Sequence, residues 1–90
     1  IKGVKCRETE QVWRGEWSRR LPQDIQTVAR RKLRYLNRAK KLEDLANPAR
    51  QQLEALKGGR AGQHSIRINK QWRICFRWED GNAQVVMIVD

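Results

Sequence analysis

Residues Ser65–Asp90 read SIRINKQWRICFRWEDGNAQVVMIVD, and the alternation in this stretch decides the fold. Ile66 and Ile68 alternate with Ser65 and Arg67. Trp72, Ile74, Phe76 and Trp78 then alternate with Arg73, Cys75 and Arg77. Successive side chains of a strand point to opposite faces, so each run predicts a strand with one apolar face and one face bearing arginines. His64 is in phase with Ile66 and Ile68, which puts it on the apolar face. Asn69-Lys70 supplies a turn, and Asp80-Gly81 is a strong two-residue hairpin signal. The last run, AQVVMIVD, is apolar on both faces and predicts a central strand. Just upstream, LEALKGG (53–59) predicts a short strand that breaks at Gly58-Gly59.

The front half of the chain has the other period. In LPQDIQTVARRKLRYLNRAKK (21–41), Ile25, Val28, Ala29, Leu33 and Leu36 recur at helical spacing. Pro22 suits the first turn, Asp24 the positive end of the helix dipole, and Leu21 can staple onto Ile25. Arginines and lysines fill the rest of the helix, which predicts either a solvated face or a stripe for a polyanion. ETEQVWRGEW (8–17) predicts one or two helical turns and LEDL (42–45) one more, ended by Asn47-Pro48. KGVKC (2–6) reads as a short edge strand. Helices followed by strands predict an α+β domain, with helices packed on an antiparallel sheet. Ninety residues suffice for one such domain, 1–90.

Composition narrows the function. Twenty Lys and Arg stand against ten Asp and Glu, a formal net charge of +10, which points to a polyanionic partner. Mean hydropathy is −0.87 and no run approaches a membrane span. The N-terminal segment IKGVKCRETE turns polar at once, so no signal peptide is expected, and an initiator methionine is expected ahead of Ile1. Cys6 and Cys75 fit no metal spacing and read as free thiols in a reducing cytoplasm. With one histidine and no Cys/His/Asp cluster, neither a metal nor a cofactor is expected.

A turn at the glycines could bring Glu54, Lys57 and Arg73 into one cleft. A carboxylate, an ammonium and a guanidinium are the groups that metal-free RNA cleavage needs. The carboxylate takes a proton from the 2′-hydroxyl, and the cations oppose charge growing on the phosphate. By spacing alone the signal is weak, since Glu and Lys in a short strand usually make a surface ion pair. Arg67, Arg77, Arg60, Arg30 and Arg34 are the candidate RNA- and ribosome-binding residues, because a planar fork matches phosphate. Trp13 and Trp17 are expected to pack on the sheet or main helix, with base stacking as the alternative. Trp72 and Trp78 read as core.

The blocks L-x-x-L-K-G (53–58), G-x-x-S-I-R (62–67) and W-R-I-C-F-x-W (72–78), with ETEQVWRGE and ARRKLRYLNRAKKLEDL before them, together resemble the HigB-type toxins. These form the plasmid-maintenance killer branch of the RelE/ParE superfamily, and the resemblance covers essentially the whole chain. It implies a compact α+β toxin of a type II toxin–antitoxin system that cuts mRNA in the ribosomal A site. Its partner would be a HigA-like helix-turn-helix antitoxin. Lys57 matches a basic residue of the family's site, and Arg73 matches the arginine of the W-R-I block. Glu54 matches the general-base carboxylate of YoeB-type relatives, although some HigB proteins carry histidine there. Many HigB-type chains place Tyr-His just after the final strand, beyond where this sequence stops at Asp90, and in those chains the pair belongs to the active site. Two other readings stay open: a ParE-like inhibitor of DNA gyrase, and a basic RNA- or ribosome-binding module without catalysis.

Overall fold

A computed structural model describes residues 1, 3–46, 52–58 and 62–90. Two helices, α1 (Arg7–Trp13) and α2 (Gln23–Arg38), are followed by a 3-10 turn at Leu42–Ala46. Four strands complete the chain: β1 (Glu54–Ala55), β2 (Gln63–Arg67), β3 (Arg73–Glu79) and β4 (Asn82–Val89). They form one antiparallel sheet in the order β1-β2-β3-β4, with the helices on one face. This is the expected α+β architecture. The expected break at Asn47-Pro48 lies outside the described residues, as do Gly59 and Arg60.

The strand register is the one the alternation predicts. Ser65 lies opposite Cys75, Ile66 opposite Ile74 and Arg67 opposite Arg73. Ile66, Ile74 and Phe76 are therefore buried together with Ile25, Ala29, Leu33 and Leu36 of α2 and Val12 of α1. Trp72 and Trp78 border this core, and Trp78 meets Phe76 edge-on at 6.5 Å between centroids. Asp80 and Gly81 both take left-handed φ, 53° and 72°, as a two-residue hairpin with the strands' own twist requires.

Two expectations change. Val28 is only half-buried, and Gln26 takes its place in the core. At about 3.6 residues per turn, Gln26 falls nearer than Val28 to the centre of the stripe through Ile25, Ala29, Leu33 and Leu36. Its amide is fully employed. The Ser18 N–H donates to Gln26 Oε1 (2.9 Å), while Gln26 Nε2 donates to the Ser18 and Leu21 carbonyls (2.7 and 2.8 Å). A helix residue thereby fixes the loop that precedes its own helix.

The second change concerns β4, which is the last strand of the sheet and not a central one. Ala83, Val86 and Ile88 are buried, Val85 is exposed, and the outer edge of the strand is covered. Val86 N–H donates to the Gly3 carbonyl and Lys5 N–H to the Val86 carbonyl, both at 2.9 Å, in a parallel bridge centred on Val4. Further along, Ile88 N–H donates to Oγ1 of buried Thr9 in α1 at 2.9 Å. Edge groups that would otherwise recruit another strand are thus satisfied within the chain. A bulge sets this up. Phe76 faces both Val85 and Val86, and Val85 takes φ 53°, a costly conformation for a β-branched residue.

After α2, Asp44 reaches back to the start of its turn, where Oδ2 accepts from the backbone N–H groups of Lys40 and Lys41 (3.0 and 3.1 Å). These bonds hold its carboxyl below the ordinary 3.8. Because the folded value is depressed, the contribution to stability is complete above the unfolded value and fades as pH falls through the folded one. Asp44→Asn should therefore lower the urea midpoint at neutral pH, and the gap to the parent should close in acid below about pH 4. A gap that persists unchanged in strong acid would contradict this role.

Candidate active site

The face of the sheet turned away from the helices carries the polar half of every alternating strand. Glu54 on β1 pairs with Ser65 on β2, and Ser65 pairs with Cys75 on β3, so their side chains share that face. Arg73, two pairs along and so on the same face, lays its fork across to Ser65 and Glu54. Its Nη1 donates to Ser65 Oγ at 3.1 Å and its Nη2 to Glu54 Oε1 at 3.2 Å. Ser65 is fully buried beneath it, whereas the side chains of Arg73 and Glu54 are 33% and 54% exposed. The other N–H groups of Arg73 have no partner among the described residues.

The energetics of this arrangement are poor as a device for stability. An ion pair this exposed is worth about 0.2–1 kcal/mol. Arg67 sits directly opposite Arg73 in the ladder, and like charges so placed are destabilising. Arg67 is held by neutral acceptors, the Asn69 carbonyl (2.9 Å) and Gln52 Oε1 (3.1 Å), so its charge is not cancelled there. Arg77 lies farther along the same face, 3.9 Å from Glu79. An open, partly dry face on which two guanidiniums adjoin and a carboxylate touches one of them suits a bound phosphate better than it suits the empty fold.

Sequence reasoning brought Glu54 and Arg73 together correctly but missed Ser65 as the group that sets the arginine's orientation. The signal was present, because Ser65 is the one small polar residue in phase with the arginines. Lys57 lies beyond β1, is exposed, and makes no ion pair among the described residues. The register puts it on the far side of Glu54 from Arg73, and no contact joins it to either. Arg30 and Arg34 are elsewhere: α2 packs on the opposite face of the sheet and turns Arg34 outward. Arg60 lies outside the described residues. His64 is on the core side as expected, stacked on Phe76 at 6.0 Å. Trp13 packs on the core, but Trp17 does not: it is 56% exposed. Neither Cys6 nor buried Cys75 is in a disulfide. Among the described residues no group of His, Cys, Asp and Glu could hold a metal, and no helix is long and apolar enough to cross a membrane.

Residues 8–90 match the family model described as the RelE-like toxin of the type II toxin–antitoxin system HigB. The chain belongs to this HigB-like toxin family. It is 42% identical over 65 residues to Toxin HigB-1 of Vibrio cholerae serotype O1, a match covering 72% of this chain and 68% of that one. It is also 30% identical over 69 residues to an uncharacterized protein of Haemophilus influenzae, covering 77% and 68% respectively. A HigB-like toxin of a type II system implies an antitoxin as partner. The matched span includes both helices and all four strands, hence Glu54, Ser65 and Arg73 alike.

Proposed function

We propose that this HigB-like toxin is a metal-independent endoribonuclease that cuts mRNA in the ribosomal A site and is neutralised by a HigA-like helix-turn-helix antitoxin. The observation that carries the reading is the Arg73 fork, seated on Ser65 and touching Glu54 on an open basic face. Glu54 is the general base. It takes the proton of the 2′-hydroxyl as that oxygen attacks the adjacent phosphorus, forming a 2′,3′-cyclic phosphate and expelling the 5′-oxygen. Arg73 opposes the charge that grows on the non-bridging oxygens. Arg67 and Arg77 hold the flanking backbone along the same face. Lys57, on the far side of Glu54, supplies a further positive charge. The leaving 5′-oxygen takes its proton from water.

Toeprinting of an mRNA on programmed ribosomes tests the activity directly, with new 3′ ends at A-site codons as the expected result. Glu54→Gln keeps the volume and an acceptor for Arg73 but cannot take a proton. It should slow single-turnover cleavage by roughly 10²–10⁴-fold and remove the part of the pH–rate profile that depends on the base. Full-rate cleavage by this variant would exclude Glu54 as the base. A protein that leaves mRNA intact on ribosomes yet blocks DNA supercoiling by gyrase would belong to the ParE-like alternative.

A further inference from the structure

Trp17 is the most exposed large hydrophobic side chain among the described residues, yet it is not loose. The Arg30 guanidinium lies 5.5 Å from the centre of its ring. Arg30 is itself anchored, with Nε donating to the Val12 carbonyl at 3.2 Å and Nη2 to the Glu16 carbonyl at 3.4 Å. The residue after Trp17 is Ser18, buried and held at both its N–H and its carbonyl by Gln26. An aromatic plane is therefore fixed in place at the surface. Beside it is a hollow of about 410 Å³ whose lining includes Arg7, Arg19 and Arg20. Its acid, Glu8, is 3.8 Å from Arg20 in a pair so exposed on the arginine side that an incoming anion can replace it.

We propose that this hollow is a second RNA-binding site. It takes an unpaired nucleotide, with the base stacked on Trp17 and the phosphates on Arg7, Arg19 and Arg20. The site is built on α1, α2 and the loop between them, on the side of the molecule away from Arg73, so it grips RNA other than the strand being cut. Structured RNA with a flipped-out base is the substrate class that uses both halves of the site. Base–aromatic stacking is strong and indifferent to sequence, and cations beside the ring follow the backbone. An acidic peptide would use the arginines but has no need of a bare indole. Because Trp17 and Arg30 are held before binding, little ordering cost falls on the complex. The inference rests on the reading that the protein acts on RNA.

The test uses fluorescence anisotropy with a labelled single-stranded oligoadenylate and a labelled inorganic polyphosphate, which carries charge but no bases. Both are titrated in a background carrying Arg67→Ala, Arg73→Ala and Arg77→Ala together, which strips the sheet face of its arginines. Trp17→Ala should reduce oligoadenylate affinity roughly tenfold and leave polyphosphate affinity unchanged, while Trp17→Phe keeps most of it. Unchanged oligoadenylate binding by Trp17→Ala, or an equal loss for both polyanions, would overturn the proposal. So would polyglutamate that competes in a Trp17-dependent way, which would make the partner an acidic protein. On ribosomes, with all three arginines intact, Trp17→Ala should raise the toxin concentration for half-maximal cleavage without changing the rate at saturation. A protein that never cleaves defeats the endonuclease reading and leaves the oligoadenylate comparison standing on its own.

Discussion

Arg73→Ala is expected to lower single-turnover mRNA cleavage by roughly 10²–10³-fold while ribosome affinity stays nearly unchanged. The two effects separate for a physical reason. Bulk attraction to the ribosome comes from twenty basic residues, of which Arg73 is one. At the scissile phosphate, by contrast, it meets charge that appears only in the transition state. The bonds to Ser65 Oγ and Glu54 Oε1 fix the fork before substrate arrives, so no ordering is needed at the moment of reaction. Arg73→Lys should rescue poorly, because a point charge cannot reach Ser65 and Glu54 together while presenting a planar edge to phosphate. Lys57→Ala should cost less than Arg73→Ala, since Lys57 lies on the far side of Glu54 from Arg73 and is joined to neither. Single-turnover rates and equilibrium binding, measured on the same ribosomes, decide the matter. Equal losses in rate and affinity would reduce Arg73 to a binding residue.

Gln26→Leu should be the most damaging substitution for stability. The side chain has nearly the right volume for a helix core position, so packing is largely kept. What is lost is the set of partners for the buried Ser18 N–H and carbonyl and for the Leu21 carbonyl. Leaving such groups unsatisfied costs about 3 kcal/mol in total, taking the loop as able to recover part of its hydration. In a domain of this size that corresponds to a fall in Tm of roughly 15 °C. A calorimetric scan of the two proteins measures it, and a shift below a few degrees would mean that water replaces the amide without penalty. Gln26→Leu should also loosen the Trp17 platform, since Ser18 is its neighbour.

Much of this was legible in the sequence because period-2 alternation is unambiguous once a turn is fixed. Asp80-Gly81 anchors the β3–β4 hairpin, and from it the faces of Arg73, Cys75 and Arg77 follow. The phase of Ser65 and Arg67 follows from the same logic across Asn69-Lys70. Other features were not legible, for distinct reasons. The alternation does not say which strand β1 joins. Its pairing with β2 brings Glu54 to Ser65 and hence to Arg73, while β1 carries Lys57 in the direction away from Arg73. Gln26 was passed over because hydrophobic periodicity scores a polar residue as solvent-facing even when its amide is saturated indoors. β4 looked central because its sequence is apolar at successive positions, yet Val85 is exposed and the strand's outer edge is closed by a cover from elsewhere in the chain. Here the cover is Gly3–Lys5 and Thr9, which lie far away in sequence. Trp17 carried no signal to separate a packed indole from a displayed one.

The covered edge of β4 also sets the order in which the molecule can come into being during its own synthesis. The hydrogen bond from Ile88 to Thr9 spans 79 positions, and Val86 reaches back to Gly3 and Lys5. The β-strands pair with sequence neighbours and can zip as they form, but Thr9 of α1 finds its hydrogen-bond partner only where β4 is present. Closing so long a loop is slow, and it is rewarded only at the end. A chain that has reached Gly81 thus has its Arg73 hairpin half made and its first helix resting on α2 alone. Thr9 and the Gly3–Lys5 segment find their β4 partners only when Val86 and Ile88 are in place, so the fold closes last at the edge where its first and last elements meet.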